Sequence, residues 1–298
     1  MVSKLSSAWE NYYTPDTVAA ALEILQRHEG RARVIGGGTD LLVETRRGLR
    51  RPLEAIVDAT RIEGLDSISA DGDHIVIGCG VTHTTIVNDP YIRQYGQCLA
   101  ESCGVIGGPQ VRNTGTLAGN VAHALPAGDG TIGLLALGGD VEVASAAGTR
   151  WMPAKDTFEG PGRSIIDRHR EILTRLRFKR TAENEGSAFH RVMRPQGLCL
   201  PIISMATRLE MDGDVITAAG ISMGPVGPVP WFAEPAAEIL VGKPASEEQF
   251  NTAANVALEN ISLRTSKYRA TAEYRETMIR TYLPIILATA VRRARATP

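Results

Sequence analysis

Three consecutive glycines interrupt an otherwise apolar stretch, Val34-Ile35-Gly36-Gly37-Gly38-Thr39-Asp40-Leu41. Arg33-Val34-Ile35 reads as a short buried strand, and a helix is predicted from Leu41, so the glycines form a strand–loop–helix junction with almost no side chains. Such a junction has two uses. Glycine is the default residue for a tight turn with positive φ, and it also lets backbone N–H groups close around an anion beside a helix start. The spacing is not that of a G-x-G-x-x-G fingerprint, and no Lys-Ser/Thr pair follows to make a nucleoside-triphosphate loop. Alone, the cluster fits a ligand-free turn as well as a ligand site.

A second cluster narrows the choice. Asn113-Thr114-Gly115-Thr116-Leu117-Ala118-Gly119-Asn120 leads to Pro126-Ala127-Gly128-Asp129. Small residues open the backbone here, while Thr116, Asn120 and Asp129 bring side chains that hydrogen-bond hydroxyls or phosphate. Gly104 to Asp129 reads as one long loop, and loops of that length are uncommon unless functional. A ligand of dinucleotide size would use both clusters, its diphosphate on glycine N–H groups and its sugar or polyol hydroxyls on Asn and Asp. A β-branched residue at Gly37 is expected to block that approach and leave the chain folded.

The rest of the chain frames these loops. Thr14-Pro15-Asp16 opens a helix with Val18, Ala21, Leu22 and Leu25 on one face and Gly30 at its end. A strand at Glu54–Asp58 closes a first unit near Thr60. Beyond it are predicted a strand at Ile75–Ile77, a helix from Asp89-Pro90 to Ala100, a helix at Ile132–Leu137, and strands at Val141–Val143 and Ile172–Phe178. The polar run Lys179 to Gly186 reads as a linker. After it, Leu200–Leu209 and Val215–Met223 form a hairpin turned at Asp212-Gly213-Asp214, followed by helices at Ser246–Glu259 and Thr271–Arg295. The 298 residues exceed one core of about 100–150 residues. An α+β architecture in three units, 1–60, 61–180 and 187–298, is expected.

A formal net charge of −1 argues against a nucleic-acid partner. No apolar stretch reaches the roughly 20 residues of a membrane span, and Met1 to Ser7 lacks a secretory apolar core, so a cytoplasmic chain is expected. Cys79, Cys98, Cys103 and Cys199 form no C-x-x-C pair and read as reduced structural thiols. His83 has no second ligand at metal spacing and reads as a helix-start or packing residue. His123, within the second cluster, either approaches a ligand or is incidental.

Ala32–Leu42 and Gly107–Asn120, followed in order by Glu171–Thr174, Gly224–Pro228 and Tyr268–Arg275, resemble the FAD-carrying medium subunit of molybdenum hydroxylases of the xanthine dehydrogenase and aerobic carbon monoxide dehydrogenase family. The resemblance spans nearly the whole chain. It implies a two-subdomain FAD-binding fold of the vanillyl-alcohol-oxidase/PCMH type, plus a C-terminal domain of small antiparallel sheet and helices. It implies noncovalent FAD held by Val34, Ile35, Gly36, Gly37, Gly38, Thr39, Asp40 and Leu41, and by Thr116, Gly119, Asn120 and Asp129. Ile106 and Leu173 fall where the family places apolar contacts with the flavin or adenine, and Phe189 where some members place an aromatic against the isoalloxazine ring. A basic residue near the flavin corresponds to His190 or Arg191. No side chain of this chain needs to act as acid or base. The implied partners are a small subunit with 2Fe–2S clusters and a large subunit with a molybdenum–pterin centre, in a dimer of heterotrimers.

Two departures stand out. Leu117 and Ala118 replace the Ile and first Gly of the family's Thr-Ile-Gly-Gly-Asn, which matters only if residue 118 needs positive φ. Gln196-Gly197-Leu198-Cys199-Leu200-Pro201 replaces an Arg-x-x-Asp-(aromatic)-Ala stretch and removes its aspartate. Two other readings compete. One is a self-contained flavin reductase resembling UDP-N-acetylenolpyruvoylglucosamine reductase, for which the C-terminal half offers no substrate-binding and proton-donor set. The other is a scaffold subunit without FAD.

Overall fold

The computed structural model describes residues 9–49, 52–180, 184–194, 200–267 and 269–296. The first segment alternates β1 (Trp9–Tyr13), α1 (Val18–Arg27), β2 (Ala32–Ile35), α2 (Leu41–Arg46) and β3 (Leu53–Asp58). Its strands form a parallel sheet in the order β1-β3-β2. The α1 start lies later than expected. Thr17, in extended conformation, caps Ala20 N at 3.2 Å, which leaves Pro15 outside the helix.

The second segment begins with the hairpin β4 (Ile68–Asp71) and β5 (His74–Gly78). Helices α3 (His83–Asn88), α4 (Pro90–Tyr95), α5 (Gln97–Gly104), α6 (Pro109–Arg112), α7 (Leu117–His123) and α8 (Asp129–Ala136) follow. Then come β6 (Asp140–Ser145), β7 (Gly148–Pro153), the short pair β8 (Phe158–Gly160) and β9 (Arg163–Ser164), and β10 (Ile172–Lys179). The main sheet is antiparallel in the order β4-β5-β10-β6-β7. Two expectations are corrected here. The helix from Asp89 breaks at Gly96, whose φ of −144° ends α4 under the Phe178 ring. The long loop Gly104–Asp129 contains α6 and α7, each started by a local device: Pro109 in its first turn, and the Thr116 cap.

The third segment holds β11 (Glu185–Val192), β12 (Ile203–Asp212), β13 (Val215–Gly224) and β14 (Trp231–Phe232) as one antiparallel sheet, then α9 (Glu234–Glu238), α10 (Glu247–Glu259) and α11 (Ala272–Ala296). The expected linker is corrected: Lys179 ends β10, and Glu185 and Gly186 open β11, where Glu185 pairs with Arg208 of β12. Thr181 to Glu183 lie outside the described residues, as do Cys199, most of the 196–201 departure, and Tyr268.

The first two segments share one core. Ala21, Leu25, Ala55 and Val57 pack in the same cluster as Ile75, Ile77, Leu176 and Phe178. The C-terminal sheet carries its own core, with Ile279, Leu283, Ile286 and Leu287 of α11 against Ile203, Met205 and Leu209 of β12. Polar ties fasten the two halves. Ser187 Oγ accepts from Cys98 N at 3.1 Å, Ser222 Oγ donates to Ile132 O at 2.5 Å, and Arg293 pairs with Glu101 at 2.6 Å. The loops after β2 and before α7 therefore meet the C-terminal half over a single cleft.

A glycine-lined cleft as the candidate cofactor site

The two loops touch at Gly37. A Cβ built there would lie 1.8 Å from the Thr114 carbonyl oxygen, and one on Gly36 would lie 2.8 Å from Thr116 Oγ1. Gly38 has a φ of +68°, a left-handed conformation that favours glycine. Gly37 is thus needed for protein to pack on protein. The expectation that a β-branched residue there would spare the fold is corrected, since backbone must move before any ligand is involved.

The cleft behind this contact has a volume of about 720 Å³, large within the range of about 300–1,000 Å³ typical of cofactor sites. Val34, Ile35, Gly36, Gly37, Gly38, Thr39, Asp40, Leu41, Ile106, Thr116, Gly119, Asn120, Asp129 and Leu173 all border it. Phe189 and His190 do not. The alternation of β11 explains this. Ala188 and Val192 turn to the C-terminal core, and His190 between them stacks on Tyr282 with ring centroids 4.2 Å apart. Phe189 faces the other way, against the first core, and Arg191 reaches the cleft. Of the pair His190 and Arg191, it is the arginine that borders the cleft. The period-two apolar pair flanking His190 was the sequence signal for that choice.

The lining suits a phosphate-bearing dinucleotide. The half-buried N–H groups of Gly36, Gly37, Gly38 and Thr39, and that of Asp40, donate to no acceptor among the described residues. Such groups need water or a ligand. Thr116 Oγ1 accepts from Gly119 N at 3.0 Å, which leaves its own proton for another acceptor. Asn120 Oδ1 accepts from Thr131 N at 3.0 Å and Thr131 Oγ1 at 2.9 Å, so its amide N–H groups remain to donate. Among the described residues, six arginines border the cleft (Arg33, Arg112, Arg168, Arg191, Arg264 and Arg269) against the carboxylates of Asp40, Asp129 and Glu171. That surplus occurs in a chain whose formal net charge is −1. Ala118 sits inside α7 and is not among the left-handed residues, so replacing glycine there introduces no backbone strain.

Asp129 has both oxygens engaged from the C-terminal half. Ser204 donates to Oδ1, and Arg191 lies 3.0 Å from Oδ2 with both side chains under 10 % exposed. Burial pushes the Asp129 carboxyl up to about 6, with Arg191 and then Ser204 pulling the other way. The residue braces Arg191 against α8.

Three further groups border the cleft. Burial lowers His83 to about 4, with Arg112 adding to the effect. His123 Nε2 is 3.9 Å from Asp40 and 3.7 Å from Glu44. The Cys79 thiol is pushed up to about 12 by burial, which removes it as a nucleophile. Cys98 is raised likewise, and Cys103 is also buried and free. Sequence reasoning missed Arg264 and Arg269, which only the tertiary fold brings to the border of the cleft. Among the described residues no group of His, Cys, Asp or Glu could hold a metal ion, and no helix is long and apolar enough to cross a membrane.

A parallel and an antiparallel sheet with their helices closing on a glycine-lined, arginine-rich cleft, braced by a third sheet, define a subunit that carries a dinucleotide cofactor. Comparison with known proteins makes this specific. Residues 5–178 match the FAD binding domain in molybdopterin dehydrogenase, and residues 187–290 match the CO dehydrogenase flavoprotein C-terminal domain. The chain is 31 % identical over 243 residues to the nicotinate dehydrogenase FAD-subunit of Eubacterium barkeri, covering 80 % of this chain and 81 % of that one. It is 29 % identical to the carbon monoxide dehydrogenase medium chain of Afipia carboxidovorans, covering 96 % of both. The fold is similar to a solved carbon monoxide dehydrogenase from Hydrogenophaga pseudoflava, with a TM-score of 0.89 at 25 % identity, covering 95 % of this chain and 97 % of that one. The chain belongs to the family of FAD-binding subunits of molybdenum hydroxylases.

Proposed function

We propose that the chain is a medium subunit that holds FAD noncovalently in this cleft, takes electrons from an iron–sulfur subunit and passes them to an external acceptor. The observation that carries the reading is one continuous cleft joining the N–H groups of Gly36–Asp40, unpaired among the described residues, to the apolar side chains of Ile106 and Leu173. The N–H groups supply the diphosphate's hydrogen bonds, Thr116 and Asn120 those of the polyol or ribose hydroxyls, and Ile106 and Leu173 the ring contacts. Asp129 holds Arg191 at the cleft wall, so that its charge is fixed and does not compete for water. Bound FAD would supply the redox chemistry, accepting and releasing electrons one or two at a time. A raised Cys79 thiol supports noncovalent attachment.

Family membership supports a small subunit with 2Fe–2S clusters and a large subunit with a molybdenum–pterin centre as partners, in a dimer of heterotrimers. We place the assembly in the cytoplasm and divide the chain at 1–60, 61–180 and 187–298. The self-contained reductase and the FAD-free scaffold gain no support from the site or the relatives. The test is reconstitution. The purified chain with FAD should give no turnover with hydroxylase substrates and regain it only with both partners. A lone chain that oxidises or reduces a small molecule with kcat of about 1 s⁻¹ or more would overturn the reading.

A further inference from the structure

His83 opens α3, where Thr82 caps the helix through Thr85 N at 3.2 Å. Its own N–H donates to Gly115 O at 2.9 Å, which pins the residue to the second glycine loop. A Cβ built on Gly115 would lie 3.3 Å from His83 Cδ2 and 3.5 Å from Thr39 Oγ1. His83 Cδ2 and the Thr39 hydroxyl therefore border the same glycine, at the point where the two loops meet.

The ring nitrogens differ. Nδ1 is fully buried and has no hydrogen-bond partner. Nε2 has no partner among the described residues either, yet it is not among the buried unpaired atoms, so it keeps some exposure, and His83 borders the cleft. Only 2 % of the residue is exposed. A neutral imidazole carries one proton. On Nδ1 that proton would be a stranded buried donor, the rarest kind of unpaired group, so it belongs on Nε2. Burial keeps the ring neutral through the physiological range. A ring needed for packing alone would gain nothing from a buried nitrogen without a partner.

We propose that His83 binds the cofactor, donating a hydrogen bond from Nε2 to a phosphate oxygen of the diphosphate held on the Gly36–Asp40 loop. The assignment rests on the reading of that loop as the diphosphate site.

The experiment is a titration of the full-length apo chain with FAD, followed by flavin fluorescence, for the wild type, H83F, H83Q and H83N. Each apo protein is also melted, and bound FAD is observed by ³¹P NMR. Glutamine places its amide nitrogen near the position of Nε2, and asparagine near that of Nδ1. H83F and H83N should weaken FAD binding about 10- to 100-fold, the worth of a hydrogen bond to a charged acceptor. H83Q should recover most of the affinity, the ³¹P signals should move in H83F, and the apo melting temperatures should stay close together. Wild-type affinity in H83F, failure of H83Q to rescue, unmoved ³¹P signals, or an affinity loss that tracks a drop in apo melting temperature would each overturn the histidine's role. A wild-type chain that binds no FAD would overturn the loop reading and this role with it.

Discussion

The loop at Gly36–Asp40 and the strand end at Arg191 both border the cleft, but they face it with different chemistry. The loop offers bare backbone: its N–H groups have no acceptor among the described residues, Gly38 is left-handed, and Gly37 is small because Thr114 O sits against it. The strand end offers one long side chain, held by the buried Asp129 carboxylate and by a 2.5 Å bond to Val105 O. The first wall is rigid because there is no room for it to be otherwise. The second is rigid because a charge pair spans two halves of the molecule. A change to the loop should therefore fail sterically at any pH, whereas a change to the brace should fail electrostatically and depend on pH.

Gly37→Val is the harshest test of that contrast. The new side chain meets backbone, not a flexible tip, so the loops must separate. Loss of soluble folded protein, or a large fall in melting temperature together with loss of flavin, is expected in circular dichroism melts and absorbance spectra. A stable, flavin-free protein would show that the glycine serves the ligand alone.

Arg191→Met probes the other wall. It leaves Asp129 buried without its cation, a change that costs about 3–5 kcal/mol for a broken buried pair. The sign follows from the raised carboxyl. Its folded-state value of about 6 lies above the unfolded one, so its contribution is present at low pH and lost as pH rises through that value. Without Arg191, the largest influence lowering it, the carboxyl rises further. The variant should melt well below wild type at pH 8, with the gap closing toward pH 5. A gap that does not change with pH would remove the charge argument and leave only packing.

Ala118→Gly should do least. Residue 118 is helical, so a glycine there offers no conformational benefit and costs up to about 1 kcal/mol of helix stability. FAD affinity should be unchanged; tighter binding would mean that the α7 backbone approaches the ligand more closely than its packing indicates.

The contrast also explains what could be read from the sequence. The glycine wall was legible because Gly36–Gly38 and Thr116–Asn120 are contiguous and their composition has few other uses. Val34 to Leu41, with Thr116, Ala118, Gly119 and Asn120, accordingly border one cleft. The brace was not legible, because Asp129, Arg191 and Ser204 are far apart in sequence and no local pattern marks a partner across a fold. Strand faces lay between these cases. Phe189 and His190 were expected at the site on family resemblance, yet the Ala188–Val192 alternation turns His190 toward Tyr282. The hairpin β12–β13 was visible from its Asp212-Gly213-Asp214 turn, whereas α6 and α7 were hidden because their glycines and asparagine resemble loop. His83 was read as a helix-start or packing residue; it does open α3, and the case for more rests on its buried, orphaned Nδ1, which leaves the ring proton to Nε2.

The central claim is that this cleft carries FAD and carries it noncovalently. The most direct test is an equilibrium titration of the full-length apo chain with FAD, followed by acid precipitation of the saturated protein. The account predicts saturable binding at one FAD per chain, with all yellow colour released into the supernatant. Absence of saturable binding, or flavin retained in the pellet, would contradict it.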